Sequence, residues 1–192
     1  MPRISSRIGR KKKEETAKIV FMFPGQGVQA LGMAKDTNPE TLKGLLDQTA
    51  ETLGEFIAFR LTALISPDAL ELPADEQKKM QLELRQTQNA QLAVFLVSYA
   101  QWLDVSGRDD FLMPDFILGH SLGECTAVCA AGALNFRDGL KFVFCRGILM
   151  QMATSLERAG MAVVGSEKTA GAPIIKTIER CLKGTDIEIA NY

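Results

Sequence analysis

The feature that most constrains this chain is Gly119-His120-Ser121-Leu122-Gly123-Glu124, set between a short apolar run and a segment rich in small residues. The run before it, Asp115-Phe116-Ile117-Leu118, reads as a buried strand, and residues 122–133 read as a helix. Strand, Gly-x-Ser-x-Gly, helix is the nucleophile elbow, a sharp turn that lifts a serine hydroxyl clear of the end of a sheet. A side chain at 119 or 123 would crowd that turn. The helix that follows turns partly positive backbone amides toward the place where an oxyanion would form. Ser121 is therefore the candidate nucleophile, and the fold class is α/β with a largely parallel sheet.

The rest of the chain agrees with that class. Lys18-Ile19-Val20-Phe21-Met22-Phe23 reads as a strand buried on both faces, ending at Pro24-Gly25. Helices are expected over 41–65, 77–103, from Asn135 and Asp138 to about 157, and over 174–182, with a loop from Ser66 to Glu76. Gly160–Gly165 and Asp186–Ala190 read as two further strands. A net charge of -1 argues against a nucleic-acid partner, and no apolar run approaches membrane-spanning length. Residues 1–13 hold Arg3, Arg7, Arg10, Lys11, Lys12 and Lys13 and no acid. They read as a solvated arm or the remnant of a transit peptide, pointing to mitochondrion or plastid, with cytoplasm as the alternative.

The candidate site residues differ in what they say alone. Cys125, Cys129, Cys145 and Cys181 form no CxxC pair, and with one histidine the chain lacks the ligands for a metal site, so buried free thiols are expected. That histidine, His120, adjoins Ser121, and neighbours on such a turn point in different directions; it reads as support behind the serine, leaving no evident general base. Arg146 lies among Leu140, Phe142, Val143, Phe144, Cys145, Ile148, Leu149 and Met150, so its helix should be buried. A buried arginine needs a carboxylate, from the protein or from a ligand. Gln88, read alone, is a surface glutamine near a helix start. Gly25 and Gly27 permit a close backbone approach at the end of a strand.

Taken in order, these segments resemble the malonyl-CoA:acyl carrier protein transacylases and the acyltransferase domains of fatty-acid and polyketide synthases. Phe23-Pro24-Gly25-Gln26-Gly27-Val28-Gln29 resembles the family's first loop, and Gln86-Thr87-Gln88-Asn89-Ala90 its TQPA segment, with Asn89 in place of proline. Gly119–Glu124 is similar to its GHSLGE motif, Arg146-Gly147 with Met150-Gln151 to its arginine helix, and Gly160–Gly165 to the strand opening its small subdomain.

The resemblance implies an α/β-hydrolase-like core over 18–158, after an arm at 1–17, and the beginning of a ferredoxin-like subdomain over 159–192. It implies an oxyanion hole from the amides of Gln26 and Leu122, an Arg146 that holds the malonyl carboxylate, and a Gln88 that orders the pocket. Malonyl-CoA would be the substrate and acyl carrier protein the partner, with no cofactor. Cys125 departs from the family, which has an aromatic residue there. Ile189-Ala190-Asn191-Tyr192 resembles the start of an asparagine-proline segment, placing Asn191 behind the site. The family's catalytic histidine would then lie beyond Tyr192, as in an N-terminal fragment. The alternatives are a serine hydrolase or thioesterase on the same elbow, and an inactive chain that only binds a partner.

Overall fold

Val20–Phe23 forms strand β1 and Phe116–Gly119 strand β2, paired in parallel with Val20 opposite Phe116 and Phe23 opposite Gly119. The computed structural model describes residues 17–157 and 172–188. Four helices make the crossover between the strands: α1 (Pro39–Leu53), α2 (Glu55–Ile65), α3 (Ala74–Leu84) and α4 (Thr87–Ser106). After β2 come α5 (Leu122–Ala130) and α6 (Phe136–Glu157). The chain divides into two compact units, Met1–Leu156 and Glu157–Tyr192; the second contains α7 (Ala172–Leu182). Among the described residues no helix is long and apolar enough to cross a membrane.

The expected helix over 41–65 is two helices. Asn38 caps α1, its side-chain oxygen accepting from the Glu40 and Thr41 amides. Gly54, at φ 98°, ends α1 and starts α2 in a conformation that other residues rarely adopt. The span read as one helix over 77–103 is likewise two, α3 and α4, broken at Arg85-Gln86, where the Asn89 side chain donates its Nδ2–H to the Glu83 carbonyl at 2.9 Å. The loop expected to Glu76 closes three residues sooner, because α3 begins at Ala74 directly behind Pro73.

Helix α4 is the centre of the core, buried at every position from Ala90 to Ser98. Stacking of Phe95 and Tyr99 on Phe136 joins it to α6, with ring centroids 5.7 and 5.2 Å apart. Its far end carries Trp102, against which Phe21, Phe23 and Phe111 pack edge-on at 5.5–6.1 Å. That cluster covers one face of the sheet. At the start of the pair, Asp115 accepts from the Lys18 ammonium at 2.7 Å and the Ile19 amide at 3.0 Å.

The strands were expected to be buried on both faces, and the structure corrects this. Val20 (42% exposed), Met22 (77%), Phe116 (55%) and Leu118 (49%) share the other face, which no described element of the first unit covers. Of the two later strands, Gly160–Gly165 lies outside the described residues, as do 189 and 190; Asp186–Glu188 is irregular chain with no pairing partner among them.

Candidate active site

The turn after β2 has the strain expected of an elbow. Ser121 sits at φ 53°, ψ -110°, the one non-glycine residue with positive φ among the described residues. Such a conformation costs on the order of 1–3 kcal/mol and is held by its surroundings. Two glycines allow those surroundings to close in. A Cβ on Gly119 would lie 2.1 Å from the Gly123 carbonyl, and one on Gly123 would lie 2.2 Å from the Phe23 oxygen. The first turn of α5 thus rests directly on the end of β1. The Gly123 amide donates to the His120 carbonyl at 2.9 Å and the Glu124 amide to the Ser121 carbonyl at 3.1 Å, which leaves Leu122 heading the helix.

The first loop lies beside this turn. Gly27, at φ 121°, donates its amide to the Gln29 side chain at 2.7 Å, giving the loop its bend. A Cβ on Gly25 would meet the His120 carbonyl oxygen at 2.9 Å and its Nδ1 at 3.2 Å. His120 therefore lies against the first loop, and among the described residues no hydrogen bond joins its ring to Ser121.

Arg146 does reach the serine. Its Nη2 donates to Ser121 Oγ at 3.0 Å, joining residues 25 positions apart. Among the described residues no carboxylate forms an ion pair with it, whereas Glu83 pairs with Arg60 and Glu51 with Arg137. The expectation of a buried arginine on a helix apolar around most of its circumference is corrected. Arg146 is half-buried, and among the residues whose burial is described α6 buries only the stripe Phe136, Gly139, Leu140, Val143 and Gly147. Phe142, Leu149 and Met152 face outward because only the α4 and α5 side of the helix is packed.

The backbone beneath Arg146 is tied to the start of α4 in three places. A Cβ on Gly147 would lie 2.9 Å from Gln88 Cα, so the helices meet there with no room to spare. Gln151 accepts from the Thr87 amide at 2.7 Å, satisfying one of the unpaired donors at the start of α4. One turn in, fully buried Gln91 donates Nε2–H to Gln26 Oε1 at 3.3 Å and to Met150 Sδ at 3.2 Å, while its own Oε1 has no partner.

Gln88, the residue expected to order the pocket, lines a cavity of about 450 Å³ with Phe56, Ile57, Arg60, Phe144 and Ile148. The glutamine that connects the first loop to the arginine helix is Gln91, which sequence reasoning passed over. Its signal was present: an amide side chain within the otherwise apolar stretch Ala90–Val97. Asn191 lies outside the described residues.

The thiols also depart from expectation. All four are free, but Cys145 and Cys181 are exposed and only Cys129 is fully buried. Burial pushes the Cys129 thiol up to about 11, and burial likewise raises that of half-buried Cys125, against the lowering influence of the nearby Arg146 charge. Among the described residues no group of three or more His, Cys, Asp or Glu is placed to hold a metal.

Residues 20–179 match the acyl transferase domain family. The chain is 40% identical over 147 residues to the polyketide biosynthesis malonyl CoA-acyl carrier protein transacylase of Bacillus velezensis, covering 77% of this chain and 44% of that protein. It is 34% identical over 178 residues to the malonyl CoA-acyl carrier protein transacylase of Bacillus subtilis, covering 91% and 50%. Among solved structures it resembles a malonyl-transacylase in complex with its type II polyketide synthase acyl-carrier protein. That match has a TM-score of 0.57 and 32% identity, over 71% of this chain and 40% of that one. The chain spans about half the length of the curated relatives it matches.

Proposed function

The chain belongs to the acyl transferase domain family, and on that premise we propose that it carries the nucleophile half of a malonyl transfer from malonyl-CoA to the phosphopantetheine thiol of acyl carrier protein. The observation that carries this reading is the position of Arg146, a guanidinium with no carboxylate partner among the described residues, 3.0 Å from the candidate nucleophile. A fork of N–H donors at that distance suits an acyl group bearing its own carboxylate, and a simple hydrolase has no use for it.

In this reading Ser121 Oγ attacks the thioester carbonyl, and the amides of Gln26 and Leu122 receive the oxyanion. Coenzyme A leaves and a malonyl-serine ester remains, until the carrier thiol attacks the ester and takes the malonyl group. Arg146 grips the free carboxylate in both steps and fixes the carbonyl over the serine. Two relatives are named as malonyl CoA-acyl carrier protein transacylases and a third protein is a malonyl-transacylase bound to its carrier, which supports both substrate and partner. The serine proton needs a base, and the sequence offers only His120, whose ring lies against Gly25. That favours one second reading, a chain that binds coenzyme A thioester or carrier without turning over.

Incubation with malonyl-CoA followed by intact-mass and peptide analysis separates the two. An 86 Da malonyl mass increment on Ser121 (about that figure by composition, for an ester formed by acyl transfer) supports transfer chemistry. Binding of malonyl-CoA with Ser121 unmodified supports the second reading.

A further inference from the structure

The contact between Arg146 and Ser121 has a consequence for which acyl groups the serine will accept. Ser121 Oγ is the atom that must attack, and in the structure it accepts a hydrogen bond from a cation at 3.0 Å. That bond draws on an oxygen lone pair and lays the guanidinium across one approach to it. Little else competes for the arginine: no described carboxylate pairs with it. Its helix is also tied to the start of α4. Gly147 is seated on Gln88 Cα, and Gln151 holds the Thr87 amide at 2.7 Å, so the Arg146 side chain can turn without a shift of the backbone beneath it.

We infer that Arg146 latches Ser121 until a carboxylate takes the guanidinium, so that acyl groups without one are refused at the nucleophile itself. An incoming malonyl group offers two oxygens. The single N–H···Oγ bond is exchanged for a bidentate pair of N–H···O⁻ bonds, and Oγ is released in the same event. No covalent bond changes in this exchange. An acetyl or longer alkanoyl group offers nothing in return, so the latch must break uncompensated before attack. Specificity then comes from a ground-state contact that the right substrate removes, in addition to the pocket contact that it gains. This inference rests on the malonyl reading above and concerns the same site.

The test uses an uncharged fluorophosphonate, which modifies serine nucleophiles and carries neither a carboxylate nor coenzyme A. Labelling of Ser121 is timed by intact mass in the full chain and in Arg146→Met, which keeps the length of the stem without a donor. The latch predicts labelling about 10-fold faster in R146M, the size expected for losing one hydrogen bond to a charged group. Equal or slower labelling in R146M, or no labelling of either protein, would overturn it. If R146M does not melt like the parent, Arg146→Lys serves, with faster labelling again expected because a lysine stem lacks the fork to hold Oγ in that geometry. A parallel incubation with malonyl-CoA keeps the two ideas apart. Fast fluorophosphonate labelling of R146M together with no malonyl adduct on the parent would retain the latch and sink the malonyl reading. A malonyl adduct on the parent with unchanged fluorophosphonate rates would do the reverse.

Discussion

The same substitution, glycine to alanine, should have opposite signs at two places in this fold. At Gly123 the new Cβ would sit 2.2 Å from the Phe23 carbonyl oxygen, 2.8 Å from its carbon and 2.9 Å from the Pro24 oxygen. An unstrained contact is about 3.5 Å, so the end of β1 and the first turn of α5 must separate by roughly 1 Å. Both neighbours are backbone, and neither can rotate away. Overpacking of that kind costs about 1–3 kcal/mol, which for a domain of this size is a fall in Tm of about 2–12 °C. At Gly44, in the exposed middle of α1, a Cβ meets nothing within 4 Å. Alanine there removes the entropic cost of a helical glycine, a gain of about 0.5–1 kcal/mol, and Tm should rise by about 1–4 °C. Circular-dichroism melts of the two variants beside the parent measure both. If Gly123→Ala melts at or above the parent, β1 and α5 are not pressed together as described. If both variants shift in one direction, reasoning from local space to sign has failed.

Gln91→Leu removes a buried carbonyl that lacks a partner, so Tm should hold or rise by about 1 kcal/mol equivalent, while Ser121 acylation by malonyl-CoA slows because Gln26 loses its link to α6; a lower Tm with unchanged acylation would refute that division. In an alkylation time course at pH 7.5, Cys145 and Cys181 should react first and Cys129 last, and prompt modification of Cys129 would contradict its burial. The native state holds the Cys129 proton more tightly than the unfolded chain, so its contribution to stability is complete below the ordinary thiol value of 9 and is lost as pH climbs toward about 11; a parent-like Cys129→Ala variant should lack that alkaline loss in denaturant melts. Met22→Lys with Leu118→Glu places a cross-strand ion pair on the uncovered sheet face, and should lower binding of an apolar dye with little change in Tm. A large loss of Tm would mean that the face is packed against something.

The parts that the sequence disclosed are those in which local chemistry and tertiary packing make the same demand. The elbow is one. Gly119 and Gly123 are needed both by the turn and by the carbonyls that press on them, so a pattern six residues long carried the position of Ser121 and the strand and helix around it. Where the two demands separate, the linear reading slipped. Periodicity carried α1 into α2 and α3 into α4, because apolar spacing continues through Gly54 and Gln86 while the backbone does not. Apolar content placed β1, β2 and α6 in a full core, yet Met22, Phe116 and Leu149 show that an element can have the composition of a buried one without a neighbour on that side.

The glutamines are the most instructive case. Gln88 and Gln91 are three residues apart on one helix, and the family resemblance points to Gln88, in a segment where Asn89 stands in place of proline. Burial adds Gln91. A side chain amide that is wholly enclosed must find its partners inside the protein, and those of Gln91 are Gln26 and Met150, from the first loop and the arginine helix. The amide that the fold can least accommodate as decoration is therefore the one that holds the two parts of the site together.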